Sequence, residues 1–265
     1  MRRLFPKSWF ACFLVLAFVL GGASQEKKRP AWKLVESLQF DWDKDGKSDS
    51  FVLEVPEDWD SGGDSSRLTI RMSGGKAFVL ENELGWMDFT EDVFSRTWAS
   101  KNVVASPHFL FLRTRRGAES PPLLFLIGWG YASSPGSLHV IKLTTFGTPK
   151  LILYRAELEL KDFTDLNGDG INEIVGLPCY SQTWGEDLLT YDPFHVFVLP
   201  GETGMARFSL KLTRNYNLKH YYGWAGPECS EKLAVVLHPP GGGKPKIMKA
   251  ADAEKLPEKK SQPKK

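Results

Sequence analysis

Two short stretches of this chain carry oxygen side chains at matching intervals. In DLNGDGINE, residues 165–173, Asp165, Asn167, Asp169 and Glu173 stand at positions 1, 3, 5 and 9, with Gly170 at position 6 where the backbone must turn sharply. In DWDKDGKSD, residues 41–49, the same positions hold Asp41, Asp43, Asp45 and Asp49, again with Gly46 sixth. A hard cation such as Ca²⁺ takes about six to eight oxygen ligands, and a loop alternating them in this way can wrap around one ion. The position-7 carbonyls, of Lys47 and Ile171, would add a further oxygen each. Carboxylates this close repel one another without a cation, which is the physical case for a bound ion. Lys44 and Lys47 offset part of that repulsion in the first loop. The competing reading is a plain Asp/Gly turn, since both residues favour turns unaided. All-oxygen ligands without His or Cys suit Ca²⁺ better than zinc or copper. Mg²⁺ usually keeps several of its waters. The expected role is structural, with affinity of about 0.1–1 mM as in other extracellular modules.

The elements around these loops must be strands. An EF-hand would need a bidentate Glu at position 12 and flanking helices. Val52 and Gly176 stand there instead, and both loops open into β-type runs. From Trp32 to about Pro239 the chain is a series of short β-branched and aromatic runs broken by Gly, Pro, Asp and Ser. Only Thr90–Trp98 has weak helical spacing. The runs recur. The first loop leads into SFVLEV, RLTIRM and KAFVLENE; the second leads into IVGLP, HVFVLP and ARFSLKL. Between them LRTRRGAESPP, without the acidic spacing, leads into LLFLIG, LHVIKL and PKLILYR, and a partial fourth copy begins at Tyr222–Ser230 and runs into EKLAVVL. A unit of about 60 residues with four short strands has the size of a propeller blade. The predicted fold is all-β, with three to four propeller-like units in a ring that need not close.

DLNGDGINEIVGLP resembles the calcium loop of FG-GAP and VCBS repeats, found in integrin-type β-propellers and many secreted bacterial proteins. Asp165, Asn167, Asp169 and Glu173 match the D-x-[DN]-x-D-G-x-x-[DE] loop, and Gly176-Leu177-Pro178 matches its Gly-x-Pro ending. Asp41–Asp49 matches the loop but not the ending. The resemblance covers about 25 residues and implies a calcium-bearing propeller repeat that serves binding.

Residues 1–24 read as an export signal: Arg2, Arg3 and Lys7 precede the apolar run Trp9–Leu20, and Gly22-Ala23-Ser24 offers a cleavage site. The run is short for a membrane span, and no later segment is a candidate, so the expected location is secreted or periplasmic. Residues 25–31 form a polar lead-in, 32–239 the β-repeat domain, and 240–265 a Lys/Pro/Gly-rich tail expected to be disordered and able to touch anionic surfaces. The net charge of +2 hides an acidic body near −6, flanked by a signal of +3 and a tail of +5. An acidic body argues against nucleic acid as partner, whose binding would need a basic face. In an exported protein Cys179 and Cys229 are expected to pair.

Little points to catalysis. The five histidines form no H-E-x-x-H spacing, and there is no G-x-S-x-G elbow or P-loop. His139 and His195 open equivalent HV runs and read as structural. Aromatic residues, Trp129, Tyr131, Tyr180 and Trp184 and then Tyr216, Tyr221, Tyr222 and Trp224, either fill the core between units or offer rings to a ligand. The expectation is a non-catalytic module for a protein or polysaccharide. The alternative is a carbohydrate-active lyase or hydrolase on a propeller, whose paired carboxylates sequence alone does not place.

Overall fold

The computed structural model describes residues 31–57, 65–83, 85–89, 102–115, 120–128, 135–201, 204–222, 230–239 and 241–256. They form an all-β protein of four small antiparallel sheets, none closed on itself. The first sheet is a meander of β1 (Trp32–Phe40), β2 (Asp49–Pro56), β3 (Ser66–Arg71) and β4 (Ala77–Asn82). The second runs β5 (Asn102–Ala105), β6 (Leu110–Leu112), β7 (Leu123–Ile127), β8 (Ser137–Leu143) and β9 (Pro149–Ala156) in chain order. The third begins with β10 (Glu159–Thr164) and β11 (Glu173–Leu177). The chain then leaves it for the hairpin β12 (Thr183–Gly185) and β13 (Leu188–Tyr191), and returns as β14 (His195–Val198) and β15 (Arg207–Phe208). Helix α1 (Leu210–His220) follows. The fourth sheet joins β12 and β13 to β16 (Ser230–Leu237) and β17 (Lys246–Lys249), and the short helix α2 (Ala250–Ala253) ends the described chain.

Strand alternation explains how the sheets stack. Successive side chains point to opposite faces of a strand. In the second sheet Phe111, Leu124, Leu126 and Ile141 face a core shared with Phe51, Leu53, Leu68 and Ile70 of the first sheet. Leu110, Leu112, Leu123, Phe125 and Val140 face another, shared with Phe163, Ile174 and Phe197 of the third. A sheet covered on both faces must be apolar on both, and LLFLI in β7 is buried at every position. Among the described residues the first sheet is covered on one face, and β2 alternates buried and half-buried residues. Its outer face carries Glu54, Thr69 and Glu81, with Arg67 paired to Glu54 at 2.9 Å.

The far face of the third sheet is covered by α1. Leu212 and Tyr216 pack on Val175 and Val196, and Ser209 caps the helix by accepting the Leu212 amide. ARFSLKL, expected as a strand, yields only the two residues of β15 before this helix begins. The partial fourth copy contributes β16, but β16 lies between β13 and β17, so it does not build a further sheet of the same order. The tail is also corrected in part. Lys246–Lys249 pairs with Ala234–Leu237, and Ala253 packs on Leu188 and Val235. The Thr90–Trp98 helix, the export signal, the lead-in up to Pro30 and the last nine residues lie outside the described residues. Among the described residues no helix is long and apolar enough to cross a membrane.

Candidate functional site

Both acidic loops sit at the same place in their sheets, between the first and second strands. The last pair before the first loop is Phe40↔Asp49, and the last before the second is Thr164↔Glu173. Position 9 of each loop is therefore also the first residue of a strand. The segment 113–122 of the second sheet connects β6 to β7 in the corresponding place.

The two loops close with the same hydrogen bonds. The position-1 carboxylate accepts the position-6 amide: Gly46 N to Asp41 Oδ2 is 3.1 Å, and Gly170 N to Asp165 Oδ2 is 2.8 Å. Position 3 accepts the position-5 amide, Asp45 N to Asp43 Oδ1 at 3.1 Å and Asp169 N to Asn167 Oδ1 at 2.8 Å. Position 5 accepts the amide of position 7, Lys47 N to Asp45 Oδ1 at 2.8 Å and Ile171 N to Asp169 Oδ1 at 2.7 Å. Position 9 reaches back to position 2, Trp42 N to Asp49 Oδ2 at 2.8 Å and Leu166 N to Glu173 Oε2 at 2.7 Å. Positions 4 and 6 are left-handed in both loops: Lys44 at φ 63° and Gly46 at 84°, Gly168 and Gly170 at 81°. Glycine takes that conformation freely and lysine does not.

The loops differ at their centres. In the first, carboxylate oxygens of Asp41, Asp43 and Asp49 lie within 4.8 Å of one another, and Asp41 Oδ1 is buried without a hydrogen-bond partner. Burial, then the neighbouring charges of Asp49, Asp45 and Asp41, raise the Asp43 carboxyl above its usual range. Asp45 is fully exposed and shifted down, chiefly by the Ser73 hydroxyl, whose Oγ lies 2.6 Å away. A cation among Asp41, Asp43 and Asp49 would satisfy the orphaned oxygen and relieve the repulsion. These residues therefore fit a hard cation by their donor chemistry. In the second loop the Asn167 side-chain amide points inward, donating to Asp169 Oδ2 at 3.0 Å and to Glu173 Oε1 at 2.9 Å. Burial raises Glu173. For Asp165 burial pulls upward, but the amides of Gly170 and Gly168 outweigh it and the carboxyl shifts down.

Both loops also hold neighbouring sheets together. Trp42 at position 2 is completely buried, and its indole N–H donates to the Pro122 carbonyl at 2.8 Å. Asn172 at position 8 donates from its backbone to Thr114 O at 2.8 Å and from its side chain to Arg113 O at 2.9 Å. The first loop thus bonds to Pro122, just before β7, and the second to Arg113 and Thr114, just after β6. A cleft of ≈ 520 Å³ opens beside the first loop, lined by Asp43, Asp45 and the β8–β9 turn with Phe146 and Gly147; the Phe146 ring is exposed.

The remaining expectations sort by burial. His139 is buried, accepts the Trp86 indole N–H at 3.3 Å, and is pushed down to about 4 by burial. That is a structural role. His195 is half-buried at the start of β14. Tyr216 is buried against the third sheet, whereas Tyr222, Tyr180 and Trp184 are exposed. Trp129, Tyr131, Trp224 and Cys229 lie outside the described residues, so the Cys179–Cys229 pairing is not described. A cluster with no signal in sequence is His108, whose ring lies 2.7 Å from both Glu36 and Asp88. The three residues are far apart in the chain and only the packing of the first two sheets brings them together.

No family model, no curated protein and no solved structure matches this chain.

Proposed function

We propose that this chain is an exported, calcium-stabilised repeat protein of the FG-GAP or VCBS type, acting as a non-catalytic binding module in the periplasm or outside the cell. The observation that carries the reading is the duplicated loop. Two segments 124 residues apart share their spacing, their four closing hydrogen bonds, their two left-handed positions and their place between the first two strands of a sheet. A plain Asp/Gly turn explains one such loop; it does not explain a buried, partnerless carboxylate oxygen among three carboxylates. The first three sheets are propeller-like units in this reading. They form an open stack, because α1 takes the face of the third sheet that a further unit would cover. Calcium is structural here: it stiffens loops whose position-2 and position-8 residues tie one sheet to the next.

The reading as a binding module rests on the exposed rings and clefts at the sheet margins. Calorimetric titration with CaCl₂ tests the metal directly. The expected result is two ions per chain for the wild type and one for each of Asp41→Asn and Asp165→Asn. Zero ions for the wild type would leave the loops as turns.

A further inference from the structure

A second cleft, of ≈ 490 Å³, lies between the second and third sheets at the Pro178 end of β11, away from the Asp165–Glu173 loop. Its floor is aromatic. His195 and Phe197 alternate on β14, and Phe208 pairs with Phe197 from β15. The Phe208 ring lies 5.3 Å from His195 and 6.0 Å from Phe197, and it is exposed. The Arg155 guanidinium sits 5.5 Å above the Phe197 ring. No salt bridge to Arg155 is formed among the described residues.

The wall is formed by the β9–β10 corner, and its backbone is strained. Glu157 holds φ at 57°, a left-handed conformation that a residue with a Cβ avoids. Its neighbour explains how the strain is held. Leu158 is buried, its amide donates to Gly136 O at 3.1 Å, and its side chain fills the space over Gly176, where an added Cβ would lie 2.5 Å from it. With Leu158 locked inward, Glu157 is left at the mouth of the cleft that Arg155 also lines. Strain of this kind clusters at functional sites.

We propose that this cleft binds a carboxylate-bearing sugar, the hexuronate unit of an acidic polysaccharide. A guanidinium fork pairs two-pronged with a carboxylate. An exposed phenyl ring accepts the C–H face of a pyranose. The Glu157 carboxylate accepts hydrogen bonds from sugar hydroxyls. A neutral sugar leaves the Arg155 charge unmatched, and an aromatic acid leaves Glu157 without a donor; a uronate satisfies all three groups.

The inference rests on the binding-module reading, and its test is separable from the calcium loops. Tetragalacturonate, tetramannose and benzoate are titrated into the purified protein in one fixed CaCl₂ buffer. Tetragalacturonate should bind, and the other two should bind at least about tenfold more weakly. Arg155→Gln should weaken tetragalacturonate about tenfold, and Phe208→Ala about fivefold. Glu157→Gly should weaken it while raising the melting midpoint, because glycine accepts the left-handed backbone. The proposal is overturned if the wild type does not bind tetragalacturonate, if Arg155→Gln binds it equally well, or if tetramannose or benzoate matches it. A calcium-dependent melting midpoint would survive each of those outcomes.

Discussion

Asp49 and Glu173 do two jobs at once, which is why each acidic loop has only one workable length. Each starts a strand and each carries a carboxylate that reaches back to the amide of position 2. Asp49 also accepts the Ser73 amide at 2.8 Å. The ligand spacing and the glycine at position 6 were legible in the sequence because they are local. The left-handed Lys44 was not, since nothing about lysine announces it. Gly176 is a similar case. In sequence it looked like part of a Gly-x-Pro ending, whereas in the fold it makes room for Leu158. Gly176→Ala should therefore cost about 1–3 kcal/mol by overpacking, and pairing it with Leu158→Ala should recover part of that loss, read from urea unfolding as a double-mutant cycle. His139 gives a pH prediction. Its folded pKa of about 4 lies below the ordinary 6.5, so between those values the unfolded chain takes up a proton that the folded one refuses. The stability it contributes is complete above about pH 6.5 and is lost as pH falls toward 4, on the order of 3 kcal/mol. His139→Gln, which can still accept the Trp86 N–H, should flatten the decline in urea midpoint between pH 7 and 4.5.

The strands were legible for a simple reason: β-branched and aromatic runs separated by turn residues have few other ways to fold. Every run expected in the first three units lies on a strand except ARFSLKL. That segment alternates apolar and polar residues, and its pattern does not tell a strand from the start of a helix. What decides is Ser209 as a cap, together with the burial of Leu212, Thr213, Tyr216 and Asn217 at helical spacing. Asn217 ties this helix to the sheet. Fully buried, it accepts the Phe194 amide at 2.9 Å and donates to Phe194 O at 2.8 Å and Thr213 O at 2.9 Å. Asn217→Ala would leave both Phe194 groups without their partner. The expected cost is about 2–3 kcal/mol in guanidinium unfolding, with the strand signal in circular dichroism retained. The tail was misread because composition rich in Lys, Gly and Pro resembles disorder. β17 gains its stability from pairing with β16, a partner that composition does not reveal.

For the whole molecule, stacking is the organising fact. The second sheet is buried between two others, and its solid apolar strands were visible in the sequence as LLFLIG and LHVIKL. Which sheet each side chain would meet was not visible, because alternation fixes the face and not the neighbour. The first and third sheets each touch the second through a core and through an acidic loop. The loops are therefore the polar counterpart of the apolar stack: Trp42 reaches Pro122, and Asn172 reaches Arg113 and Thr114, from loops held in shape. Calcium should consequently act on global stability and not on one loop alone. The direct test is thermal unfolding of the wild type in CaCl₂ and in chelator. With each site at about a hundred times its Kd, two sites contribute about 5 kcal/mol, which for a domain of this size is a rise in midpoint of about 10–20 °C. The rise should be roughly halved in Asp41→Asn and in Asp165→Asn and abolished in the double variant. An equal midpoint in calcium and in chelator for the wild type would contradict the account.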